Sequence, residues 1–138
     1  MLDLGRRTIG DSVSSVRPAP LELVQMSYDR LIEFTATQSH VLLVAESALE
    51  QYGFVLLLVD LPDEVTGIPQ AFVAYMAVEP HARRRGVGRA LLQAAERATR
   101  ARGLPALALM VTEDNVAARA LYAQAGYATE RRLLCKAP

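Results

Sequence analysis

The stretch that decides the fold runs from Gln70 to Gly103: QAFVAYMAV (70–78), EPHARRRGVG (79–88) and RALLQAAERATRARG (89–103). Its first part is apolar at both parities of a two-residue period. Strands covered on both faces read this way, which places this one mid-sheet beneath helices. Its last part sets Leu91, Ala94, Ala95 and Ala98 on one side of a helix spanning 88–102, with Arg89, Gln93, Glu96, Arg97 and Arg100 opposite. Gly103 and Pro105 end that helix. Residues 106–111, ALALMV, repeat the doubly apolar pattern. Strand, helix, strand in this order predicts a right-handed parallel crossover.

Downstream, Asp114 and Asn115 offer an N-cap to a helix over 116–125, and Gly126 stands at its C′ position. Residues 127–135 are expected as a last strand. Upstream, residues 21–37 place Val24, Tyr28, Leu31, Ile32 and Thr35 at helical spacing. The apolar runs 41–46 and 52–60 predict an antiparallel pair, and LPDEVTG (61–67) a turn. The looser segment DSVSSVRPAP (11–20) holds a short edge strand at most, around Val13–Val16. The fold class expected is α/β (α+β): a mixed sheet with helices on its faces.

The chain has 138 residues, 51% hydrophobic and 22% charged, which argues against disorder and suits one domain. The apolar run 71–78 is far shorter than the ~18 residues a membrane helix needs. Arg6 and Arg7 have no apolar segment behind them, so no secretory signal is expected. One cysteine and two histidines suggest neither a disulfide framework nor a metal site. A cytoplasmic domain is the default. The formal net charge is zero, yet residues 1–80 carry four arginines against eleven acids, and residues 81–138 carry eleven bases against four acids. The basic half is the one expected to meet an anion.

The turn 79–88 is where that anion fits. Pro80 ends the strand, and Gly86 and Gly88 let the backbone come close to a ligand at the helix start. Free amides and the positive helix end favour a phosphate or pyrophosphate there. Arg83, Arg84 and Arg85 add charge-assisted donors. The turn has neither the third glycine of a dinucleotide fingerprint nor the Gly-Lys-Ser/Thr of a Walker loop. A solvated arginine surface, or a nucleic-acid patch, would also explain the arginines. No aromatic residue interleaves them to stack bases, so nucleic-acid binding ranks last.

Val78-Glu79-Pro80, Arg83-Arg84-Arg85-Gly86-Val87-Gly88 and Leu91-Leu92 resemble motif A of the GNAT N-acetyltransferase superfamily. Asn115, Ala118, Leu121-Tyr122 and Gly126-Tyr127 resemble its motif B, in the right order and on the expected elements. The resemblance covers residues 70–135 well and residues 1–69 only in general plan. It implies a single GNAT-like domain over 1–138: a variable acceptor-side part (1–69) and an acetyl-CoA-binding core (70–138). It also implies a mostly antiparallel sheet with a central parallel strand pair.

The activity so implied is acetyl transfer from acetyl-CoA to a primary amine, by direct attack in a ternary complex. The pyrophosphate would lie on Arg83, Arg84, Arg85, Gly86, Val87 and Gly88. The pantetheine would run along the backbone of Met76, Ala77 and Val78, where the two parallel strands splay, and Asn115 would touch it. Tyr122 would protonate the leaving thiolate. The acceptor would be a small-molecule or peptide amine, and neither nucleic acid nor membrane is implied as a partner. Simpler readings stand beside these: Tyr122 as helix-face packing, Asn115 as a cap alone. No general base is evident. The fifth-strand position that carries Glu in some members reads Met110, leaving Glu113, Asp114 and Glu46 as relays. Only one helix is convincing before the first strand pair, so the acceptor pocket is open or completed by a second subunit in a homodimer. The alternative is a non-catalytic acetyl-CoA-binding regulatory module of the same fold.

Overall fold

The computed structural model describes residues 1–138. Two helices lead: α1 (Asp3–Thr8), followed by a 3-10 turn (Ile9–Ser12), and α2 (Leu21–Ala36). Strands β1 (His40–Glu46), β2 (Gln51–Pro62) and β3 (Pro69–Val78) form an antiparallel meander. A 3-10 turn (Pro80–Ala82) leads to α3 (Val87–Ala101), then β4 (Leu107–Ala108) and α4 (Val116–Gln124). The sheet order is β1-β2-β3-β4, with β3 and β4 parallel. The mixed, mostly antiparallel sheet is the one expected; its parallel pair, expected to be central, lies instead at the β4 edge, because no later strand joins β4.

Alternation along β2 builds two cores. Val55 and Leu57 point to one face and pack with Val73, Leu91 and Ala95 beneath α3. Phe54 and Leu56 point to the other and pack with Leu4 of α1 and Ala77, with Ile32 of α2 at the margin. Burying such side chains stabilises the fold by roughly 1.5–3 kcal/mol each. On β3 the pairing jumps from Leu56↔Tyr75 to Leu57↔Val73, leaving Ala74 as an extra residue. That bulge turns the strand's parity over. Val73 faces the α3 core below it, whereas above it Met76 and Val78 face α3 and Tyr75 faces α1 and α2.

Four further expectations need correction. Val13–Val16 is no strand, because its hydrogen bonds go to local turns and to the segment after β4. Two helices, not one, precede β1. Residues 106–111 contribute only a two-residue strand, covered on one edge, so Met110 is 78% exposed. Residues 127–135 form no strand. Their Arg131 is drawn to Asp63 in the β2–β3 turn at 2.7 and 3.0 Å, and β4 is too short to template a neighbour. Leu133, Leu134 and Cys135 are therefore exposed.

Candidate active site

The turn after β3 is shaped by two left-handed residues, Arg84 at φ +64° and Gly86 at φ +79°. The first is uncommon for a residue with a side chain, and such conformations concentrate at functional sites. Gly86 passes directly into helical Val87, a left-to-right succession that turns consecutive amides to one side. No protein acceptor receives the N–H groups of residues 84–89. Six successive open donors at the positive end of a 15-residue helix make a cradle for an anion.

The three arginines divide their roles. Arg83 is tied inward, its Nε donating to the Val78 carbonyl at 3.3 Å and its Nη2 to Asp11 at 3.5 Å. Arg84, Arg85 and nearby Arg89 are exposed and take part in none of the ion pairs. They are free to meet a polyanion.

Beside the turn, β3 and β4 pair only at Ala71↔Leu107 and Phe72↔Ala108. From Val73 onward the β4-facing edge of β3 has no strand beside it, so Met76, Ala77 and Val78 border a gap. Their other edge is fully paired, to Val55, Phe54 and Gly53. Across the gap, α4 leans on the start of α3. A Cβ on Gly88 would stand 3.0 Å from Leu121 Cδ2, so only glycine allows this approach without displacing that leucine. Asn115 caps α4, its Oδ1 accepting from the Ala118 N–H at 3.2 Å.

Tyr122 packs edge-on against Tyr127 with centroids 6.2 Å apart, and no protein group hydrogen-bonds its hydroxyl. Burial chiefly, and then the neighbouring Tyr75, push its pKa up. It stays protonated through the neutral range. Tyr75 is a residue that sequence reasoning missed. It is wedged between Tyr28 (5.2 Å) and Phe54 (6.1 Å), and its hydroxyl meets Thr8 Oγ1 at 3.1 Å. Its only sequence signal was a tyrosine in an otherwise aliphatic run, and the bulge at Ala74 hid which way it points.

Of the three relay acids, Glu46 lies apart, whereas Glu113 and Asp114 stand in the segment between β4 and α4. Glu46 ends β1, the strand furthest from β4. Glu113 is 84% exposed and pairs with Arg119. Asp114 accepts the Ser15 N–H at 2.7 Å, which keeps its carboxyl below the usual range. Glu79 gives both oxygens to Arg7, at 2.9 and 3.4 Å, and is likewise lowered. With Met1, Asp3, Leu4, Arg7 and Gln51 it lines an open cleft of about 280 Å³.

The fold recurs in known proteins. A candidate acetyl transferase from Pyrococcus furiosus is 28% identical over 99% of this chain and 90% of its own, with a TM-score of 0.81. The ribosomal-protein-alanine N-acetyltransferase of Brucella melitensis biovar Abortus 2308 shares the fold at 21% identity and TM-score 0.66, covering 99% and 92%. So does AAC(6')-Iy, solved in complex with the bisubstrate analogue CoA-S-monomethyl-acetylneamine, at 18% identity and TM-score 0.66, covering 99% and 90%. No curated protein gives a significant match. The sequence profile of the Acetyltransferase (GNAT) family matches residues 14–127, most of the length and all of the turn, gap and capped helix just described, and the chain belongs to that family.

Proposed function

We propose that the chain is an N-acetyltransferase that uses acetyl-CoA and a primary amine in one ternary complex. The observation that carries this reading is the row of open amides at residues 84–89 beside the unpaired edge of β3. A pyrophosphate fits that row, with Gly86, Val87 and Gly88 presenting backbone and Arg84 and Arg85 adding charge. Arg83 braces the turn. Met76, Ala77 and Val78 offer main-chain groups to an extended, amide-bearing arm laid in the gap, and Asn115 closes its far side. Acetyl-CoA supplies the activated acetyl thioester when bound.

Tyr122 holds a proton at its Oη where the departing sulfur needs one, and its raised pKa keeps that proton in place at neutral pH. A free main-chain amide along the β3 edge would polarise the carbonyl. The acceptor is a small-molecule or peptide amine, in line with the aminoglycoside N-acetyltransferase AAC(6')-Iy and the ribosomal-protein-alanine enzyme among the structural relatives. The test is acetyl-CoA binding by calorimetry followed by thiol release with a panel of primary amines. Tight binding with no amine accelerating thiol release would refute the enzyme.

A further inference from the structure

The segment between α1 and α2 crosses the gap and is pinned on both sides of it. On the β3 side, Thr8 Oγ1 meets the Tyr75 hydroxyl at 3.1 Å. On the far side, Thr112 Oγ1 donates to the Ser12 carbonyl at 2.5 Å, and the Ser15 N–H donates to Asp114 at 2.7 Å. Asp11 lies between these anchors. Its Oδ2 faces Arg83 at 3.5 Å, and Arg83 in turn holds the carbonyl of Val78, the last residue of β3. Four hydrogen bonds, to β3, to the segment after β4 and to the turn after β3, therefore hold Asp11 between the two parallel strands.

Asp11 is also a carboxylate left with capacity. Glu79 and Asp114 are engaged as described above, whereas Asp11 Oδ1 accepts nothing. Glu113 is as loosely paired, at 3.6 Å to Arg119, but its side chain is 84% exposed against 61% for Asp11. Its single ion pair is long and solvent-exposed, a kind of pair that holds weakly. The groups facing it are Arg83 from the turn and, through its charge, the Tyr75 phenol from β3.

We infer that Asp11 binds the acceptor as its ammonium and acts as the base that frees the amine for attack. The proposal rests on the acetyltransferase reading. The ammonium gives one proton to Asp11, which passes it to solvent. The amine nitrogen then forms the C–N bond as the C–S bond breaks. The nitrogen loses a second proton, and the sulfur leaves as a thiol with the proton from Tyr122, which is re-protonated in turn. One proton is released net for each ammonium acetylated.

The test compares wild type, Asp11→Asn and Glu130→Gln with an aminoglycoside, putrescine and an alanine-led tripeptide as probes. Three quantities are read: acetyl-CoA affinity, amine affinity of the CoA-bound protein by calorimetry, and kcat/KM across the neutral and alkaline range. Asp11→Asn is expected to lower kcat/KM about 100-fold near neutrality, with recovery as pH rises and the free amine supplies itself. Amine affinity should drop about tenfold while acetyl-CoA affinity stays within about twofold. Glu130→Gln, at an exposed acid on the C-terminal segment, should match wild type throughout.

Unchanged amine affinity and kcat/KM in Asp11→Asn would overturn the proposal, as would loss of acetyl-CoA affinity, which would make Asp11 a brace for Arg83. If wild type binds acetyl-CoA but acetylates no probe, the enzyme reading fails on its own, and amine affinity alone decides Asp11. A tenfold loss then supports it as an ammonium site. An unchanged value, or no amine binding by wild type, rejects it.

Discussion

Each strand of the parallel pair passes the chain to a helix, and the two helices are held in opposite ways. α3 buries Leu91, Leu92, Ala95 and Thr99, while α4 buries no residue. α3 starts without a side-chain cap, its first amides open; α4 starts on Asn115, whose side chain satisfies one of its own. The firmly mounted helix thus keeps an unmet demand for an anion, and the loosely mounted one has met part of its own. Binding strength would come from the first and proton chemistry from the second. That separation can be attacked at four places.

The mounting itself is the largest effect. Leu92 is fully buried, so Leu92→Ala should cost about 3 kcal/mol within the 2–5 kcal/mol usual for such truncations. Leu121, half-buried on α4 against Gly88, should cost less than about half of that. Urea denaturation of both variants measures the contrast, and equal losses would erase it.

Next comes Tyr122→Phe, which removes a hydroxyl that no protein group holds. Turnover should fall about 100-fold, or about 2.7 kcal/mol, with acetyl-CoA affinity within about twofold of wild type. Steady-state kinetics with calorimetry separates the two. A parallel loss in affinity would make Tyr122 a packing residue, and α4 would then belong to binding after all.

Gly86→Val tests the other helix. Nothing lies within 4 Å of a Cβ added there, so the cost is the φ of +79° alone, roughly 1–3 kcal/mol for a branched residue. If the turn relaxes to avoid it, the amides scatter and acetyl-CoA affinity should fall at least about tenfold. Gly86→Asn, which tolerates the left-handed region, should retain most of it. An unaffected Val variant would remove the cradle from the account.

Much of this contrast was legible in the residues, and the reasons are local. Turn 79–88, α3, its glycine stop and the Asn115 cap are each encoded within a few neighbouring positions. What escaped reading depends on distant partners. α1 is 6 residues long, too short to hold by propensity, and forms because Leu4 enters the core and Tyr28 donates to the Leu2 carbonyl. Residues 127–135 have strand-like composition but no edge to join. Tyr75 was obscured because a strand apolar at both parities cannot announce a bulge. Asp11 meets Arg83 across 72 positions, and nothing in either segment hints at the other.

The smallest effect distinguishes two jobs for one residue. Asn115→Ala removes the cap and should cost about 1 kcal/mol, confined to α4. Asn115→Asp keeps an oxygen to accept the Ala118 N–H but loses the amide donor. If Asn115 only caps, the Asp variant keeps both stability and acetyl-CoA affinity. If its Nδ2 also contacts the cofactor arm, stability holds while affinity drops about three- to tenfold, a loss the size of one hydrogen bond. The second outcome would tie α4 to binding through its first residue alone, leaving Tyr122, two turns on, to the proton.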